Sequence, residues 1–219
     1  KRAGGEVVLV PNPNFGGKTA SLSKLTAKIF SDTNAAYNAF ASGQCDSGPI
    51  PAGRYTELLT KWGTKGLKST LGTDYWGFNW EDPIVGGAKN KYLRSAIAKA
   101  IDRDQISSVI YQGIRKPASG LLPPGLPGYK SGQGLTSSRD LAGAKADYKR
   151  WLDAGNTTPP PIRLSYNDGA GWDKVASIII ANLKDVGIPA KLDPFAADGT
   201  YFSKMRSGKG QMIRAGWFA

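Results

Sequence analysis

The spacing of apolar residues across positions 91–113 predicts two helices with a stop between them. Tyr92, Leu93, Ala96, Ile97, Ala100 and Ile101 recur at helical intervals, which makes one face of the first helix a core surface and leaves Arg94, Ser95 and Lys99 towards the other. Asp102 stands as N-cap of the second helix. Gln105 follows at capping-box spacing, so that two orphan backbone donors are satisfied reciprocally. Ile106, Val109 and Ile110 form the buried stripe, and Gly113 ends the helix. Residues 162–166 then read as a strand, and 172–186 as a helix burying Val175, Ile178, Ile179, Leu183 and Val186. A second strand follows at 188–192. Strand, crossover helix and strand make a parallel, right-handed βαβ unit.

The remaining pattern is more local. Residues 6–10 and 25–30 read as strands, the first closed by Pro11-Asn12-Pro13-Asn14. Asp32 or Thr33 caps a helix to residue 42 carrying Ala36, Tyr37 and Phe40 on one face, and a short strand is expected at 44–47. The polar, glycine-rich stretch 61–72 suits a crossing between lobes, and 73–80 is an aromatic strand. Its alternation puts Tyr75, Gly77 and Asn79 on one face and Trp76, Phe78 and Trp80 on the other. The second set fills a core, Phe78 above all, while Asn79 ties down a loop. Residues 114–136 form a long Pro- and Gly-rich loop in which Pro123-Pro124 are structural, and Ser138 caps the next helix. That helix buries Leu141, Ala144, Tyr148, Trp151 and Leu152 and ends at Gly155. A short helix from Gly199 or Thr200 to Ser207 precedes a final strand, 211–219, in which Gly216 lets another backbone approach closely.

Several of these segments resemble one family. The run R-x-A-I-x-x-A-I-D-R-x-x-I, from Arg94 to Ile106, is similar to the signature segment of the family 5 extracytoplasmic solute-binding proteins, the oligopeptide, dipeptide and nickel receptors of bacterial ABC importers. PNPNFGG at 11–17, NAAYNAFASGQCD at 34–46, DYWGFNW at 74–80, PASGLLPP at 117–124 and AGWFA at 215–219 resemble further family segments in the family's order. The resemblance implies an α/β fold, an incomplete lobe of the type II periplasmic-binding-protein kind with a mixed sheet flanked by helices. It implies that residues 1–66 are the C-terminal part of a first lobe, either packed on the rest or a mobile appendage, and that residues 67–219 belong to a second lobe truncated before its end.

Composition narrows the chemistry. The chain has 219 residues, one cysteine, no histidine and a formal net charge of +12. A lone cysteine forms no internal disulfide, and it leaves the compartment undecided. Without histidine there is no Ser-His or Cys-His pair, and no Cys/His metal spacing exists. Cys45 follows a helix C-terminus, which does not favour a thiolate. Capping accounts for Asp102 and first-turn charge for Asp104, and no phosphate-loop pattern is present. The chain therefore reads as a binding protein and not an enzyme, with no cofactor or metal expected. The basic residues are dispersed along the chain, so a solvated surface is expected and a nucleic-acid-binding module is the reading from another class. No apolar run approaches a membrane span, and Lys1-Arg2 are not followed by the apolar stretch of a signal peptide, so the chain is expected to be a fragment.

What the resemblance implies for function is a substrate-binding component of an ABC importer. It would bind oligopeptides or dipeptides between two lobes and deliver them to permease subunits. Residues of the ligand site are expected at Tyr75 and Trp76, at the backbone of Ala215, Gly216 and Phe218, and at Trp217, whose indole would line a side-chain pocket. Tyr75 and Trp76 serve equally as packing residues, and Trp217 as a core or inter-lobe tryptophan. The protein is expected to be an extracytoplasmic monomer, in the periplasm or on the cell surface, touching the membrane only through a lipid anchor outside this fragment. A glycan or metal chelate is the alternative ligand, with Trp76, Trp80 and Trp217 as stacking surfaces.

Overall fold

A computed structural model describes residues 5–65, 70–132, 138–196 and 199–219. Parts of the expected lobe crossing (66–69) and of the long loop (133–136), and the Lys1-Arg2 pair, lie outside the described residues. The chain divides into two compact units, 1–51 and 52–219.

In the first unit, strands β1 (Glu6–Leu9) and β2 (Leu25–Lys28) form an antiparallel ribbon in which Glu6 faces Lys28 and Leu9 faces Leu25. All eight of its residues are exposed, Val7, Val8, Leu9 and Leu25 among them. Helix α1 (Thr33–Ala41) begins where Asp32 accepts hydrogen bonds from the Asn34 and Ala35 amides at 2.9 and 3.0 Å. That capping is the expected one. Residues 44–47 are not a strand; the Gln44 and Cys45 amides both turn back to donate to the Ala39 carbonyl, which uses the donors a ladder would need.

The second unit is built on a four-stranded mixed sheet in the order β3-β6-β4-β5. Its strands are β3 (Gly72–Phe78), β4 (Ile162–Asn167), β5 (Ala190–Phe195) and β6 (Met212–Phe218). Strands β4 and β5 run parallel, joined through helix α6 (Trp172–Lys184), as the apolar pattern requires. Strand β3 is antiparallel to β6 along seven residues, and β4 joins β6 in parallel. Helix α3 (Lys91–Ala100) buries Leu93, Ala96, Ile97 and Ala100. It packs beside α5 (Leu141–Asp153), which buries Ala144, Tyr148 and Trp151. Polar bonds lock the pair: Ser95 Oγ and Lys99 Nζ donate to Asp147 at 2.6 and 2.7 Å, and Trp151 Nε1 donates to the buried Asn90 Oδ1 at 3.1 Å. Burial alone would raise the Asp147 pKa, but the bonds from Lys99 and Ser95 outweigh it and hold the carboxyl below its usual range. Helices α2 (Tyr55–Trp62) and α7 (Tyr201–Arg206) complete the unit.

Four expectations change on meeting the structure. Helix α4 (Arg103–Gln105) is capped by Asp102, which accepts from the Gln105 amide at 2.8 Å, but the capping box is not reciprocal. The Asp102 amide donates instead to Asn182 Oδ1 of α6 at 2.9 Å, so a tertiary partner takes the bond that Gln105 would have made. Beyond α4 the helix widens into a π-turn, Ile106–Ile110. The wider turn rotates the face: Ile110 and Tyr111 are buried while Val109 is 61% exposed. Helix α5 is capped by Asp140, accepting from the Gly143 amide at 2.8 Å, and not by Ser138, two residues earlier. Phe78 is only half-buried and Trp80 is 59% exposed, because β3 ends at Phe78 and the chain turns away. Asn79 does tie that turn down, donating to the Gly210 carbonyl at 2.9 Å.

Candidate functional site

The site the sequence points to lies on the β3–β6 ribbon. Cross-strand partners share a face, so the register places Asp74, Trp76 and Phe78 with Gly216, Arg214 and Met212 on one side. Thr73, Tyr75 and Gly77 lie with Trp217, Ala215 and Ile213 on the other. The six expected ligand residues are thereby divided: Trp76, Gly216 and Phe218 on the first face, Tyr75, Ala215 and Trp217 on the second. They are neighbours in the ribbon and do not line one pocket. Phe218 is 68% exposed and lies over Gly72, where a Cβ would collide with its ring. Tyr75 is 39% exposed, and Trp76 meets Tyr166 edge to face at 6.4 Å. Ala215, Gly216 and Trp217 are half-buried.

What the sequence reading did not single out is the charge cluster on the first face. Asp74 accepts from Arg214 Nη2 at 2.8 Å and from Arg115 Nη1 at 2.7 Å, so one carboxylate gathers two guanidiniums from two other elements. Arg214 lies flat over the Trp172 indole at 3.8 Å, and Arg115 over the Tyr111 ring at 4.3 Å. A side chain at Gly216 would meet the Asp74 carboxylate, and the Thr73 backbone carbonyl would lie 3.4 Å from its Cβ. Alternation alone placed Asp74 beside Trp76. The partnership with Arg115 spans 41 residues, and no local signal announces it.

The outer geometry of β6 is the second feature. Strand β3 covers one edge throughout, but β4 pairs with β6 only at Met212 and Ile213. From Arg214 to Phe218 the other edge has no strand partner among the described residues. Where the two strands part, the Tyr201 hydroxyl, from α7, stands between the Ser165 carbonyl of β4 and the Arg214 carbonyl of β6 at 2.7 and 2.9 Å. Burial pushes this hydroxyl up to about 12 from its ordinary 10.0, against the opposing pull of Arg214. The pH dependence follows from the sign. Below pH 10 both folded and unfolded chains hold the proton and the contribution is constant; as pH rises from 10 to 12 the unfolded chain releases it first, and stability is lost. Denaturation midpoints are expected to fall across that window, and less steeply in Tyr201→Phe; equal slopes in the two proteins would remove the tyrosine from the account.

Among the described residues no cluster of three or more His, Cys, Asp or Glu side chains could hold a metal, and no helix is long and apolar enough to cross a membrane. What the ribbon offers is a strand edge that, beyond Ile213, has no strand partner among the described residues, beside aromatic and guanidinium groups.

Residues 2–219 match the family described as bacterial extracellular solute-binding proteins, family 5 Middle. The oligopeptide-binding protein OppA of Bacillus subtilis is 26% identical over 97% of this chain and 40% of its own length. The dipeptide-binding protein of Escherichia coli is 25% identical over 93% of the chain and 38% of its own length. The structure of Burkholderia pseudomallei OppA superposes with a TM-score of 0.80 and 26% identity, covering 99% of this chain and 44% of that one. The chain thus spans about two fifths of the length of these relatives. The mixed sheet with flanking helices is a part of the type II periplasmic-binding-protein fold that they share. With the match running from residue 2 to residue 219, this chain belongs to the family 5 bacterial extracellular solute-binding proteins.

Proposed function

We propose that this chain is part of the substrate-binding component of an ABC importer, which holds an oligopeptide or dipeptide between two lobes and passes it to permease subunits outside the cytoplasm. The observation that carries the reading is the edge of β6 from Arg214 to Phe218, which has no strand partner among the described residues. An extended peptide adds to such an edge through main-chain hydrogen bonds, which are indifferent to sequence, while its side chains project alternately to the two faces. The division of Tyr75, Ala215 and Trp217 from Trp76, Gly216 and Phe218 fits that use, since successive ligand side chains would meet different walls. In this reading residues 1–66 are the end of a first lobe and residues 67–219 most of a second, and ligand favours closure by touching both. The names of the relatives, which are binding proteins for oligopeptides and dipeptides, support the ligand class and a role without catalysis.

The test is a native mass spectrum of the full-length protein purified without added ligand. Bound mass resolving into a ladder of short peptides is expected. A single adduct of sugar or metal-chelate mass would move the ligand to another class while leaving the fold in place.

A further inference from the structure

We propose that the outward face of α3 and the adjoining end of α5 form a docking surface for an anionic phospholipid bilayer. Four cations lie there, Lys89, Lys91 and Arg94 close together in sequence and Arg150 brought in by the packing of α5. Lys91 Nζ and Arg150 Cζ lie 4.9 and 4.5 Å from the ring centroid of Tyr92. One turn on, Arg94 lies 4.9 Å from the ring centroid of the exposed Trp80 and donates to the Val85 and Gly87 carbonyls at 2.8 and 2.7 Å. Lys89, exposed in the turn before α3, is the fourth. None of the four makes an ion pair among the described residues. The carboxylates of the two helices are already committed, Asp147 to Lys99 and Ser95 and Asp153 to Lys149. In the turn before α3, Asp82 caps the Ile84 and Val85 amides, and Glu81 is exposed.

The aromatic content of the patch decides the kind of anion. Tyr92 has both Lys91 and Arg150 over its ring, which engages the surface that stacking on nucleic-acid bases requires, while Trp80 carries Arg94 and stays 59% exposed. Amphipathic rings flanked by Lys and Arg suit instead the boundary between headgroups and acyl chains, where the indole enters and the cations stay at the phosphates. Beside Lys89 a depression of about 180 Å³ is lined by Asn156, Thr157 and Thr158 over Trp151. The exposed Thr157 and Thr158 hydroxyls and the Lys89 ammonium suit a phosphate-bearing headgroup.

The test is flotation of the chain with vesicles of equimolar phosphatidylglycerol and phosphatidylcholine at low salt, against pure phosphatidylcholine. The chain is expected to float with the first and not the second. The triple variant Lys89→Glu, Lys91→Glu, Arg150→Glu is expected to lose at least about tenfold in vesicle affinity, since each basic group near an anionic surface contributes separately. A control with the same charge change elsewhere, Lys174→Glu, Lys184→Glu, Lys191→Glu, is expected to stay within about twofold of the parent. Circular dichroism of all three proteins establishes that the fold is kept. Equal losses in the two variants would reduce the effect to net charge, and absence of flotation would refute the surface outright. Tighter binding of a single-stranded oligonucleotide, or full competition by soluble glycerol phosphate, would replace the bilayer with a nucleic acid or a free-phosphate site.

Discussion

Trp151→Ala is expected to cost the second unit about 3–5 kcal/mol, read as a fall in the chemical-denaturation midpoint, because it combines a large cavity with a stranded polar group. The indole is 4% exposed, stacks on Tyr148 at 5.9 Å between centroids, and donates to Asn90 Oδ1. Asn90 is itself buried and donates to the Pro83 and Gly86 carbonyls at 3.2 and 2.8 Å, so the tryptophan holds the turn leading into α3 as well as filling the gap between α3 and α5. Trp151→Phe keeps most of the volume and loses the N–H. It is expected to recover more than half of the loss. A phenylalanine no better than alanine would place the weight of the site on the hydrogen bond to Asn90.

Asp74→Ala is the second large effect, expected at about 2–3 kcal/mol. The Arg214 side chain is 14% exposed, and removing its carboxylate leaves a guanidinium largely out of water, with the Trp172 ring and a 3.4 Å bond from Nη1 to Asn167 Oδ1 as its remaining partners. Arg115, at 46%, re-solvates at little cost and adds little. Arg214→Met in the Asp74→Ala background is therefore expected to restore part of the stability, because an apolar chain of similar length suits the indole better than an unpaired charge. A double variant less stable than Asp74→Ala would show that Arg214 is satisfied without Asp74. The same variants read on the ligand side in the full-length protein, since Asp74 sits over Gly216 in the strand proposed to receive the peptide.

Most of the architecture was legible where local pattern and tertiary packing agree. The βαβ unit, the buried faces of α3 and α5 and the cap at Asp32 follow from periodicity because the same residues that make the element also bury it. Legibility failed where a distant residue intervened. Nothing around Asp102 announces that Asn182 will take its amide, and nothing between 103 and 113 announces the π-turn that exposes Val109. The site shows the same division. AGWFA located the strand, and alternation assigned its faces, but Tyr201 and Arg115 reach it from α7 and from the loop after the π-turn. The charge shows the same division: the basic residues are spread along the sequence, and only the packing of α3 against α5 brings Lys91 and Arg150 over one tyrosine.

The β1–β2 ribbon bears on how the chain behaves in concentrated solution. Its two strands carry Val7, Val8, Leu9 and Leu25 in the open, and neither outer edge has a further strand partner among the described residues. Such a ribbon is a template onto which a second copy can stack strand by strand, and the charges of Glu6, Lys24 and Lys28 stand guard at its ends. Salt, which screens those charges, is therefore expected to favour contact between copies through this ribbon.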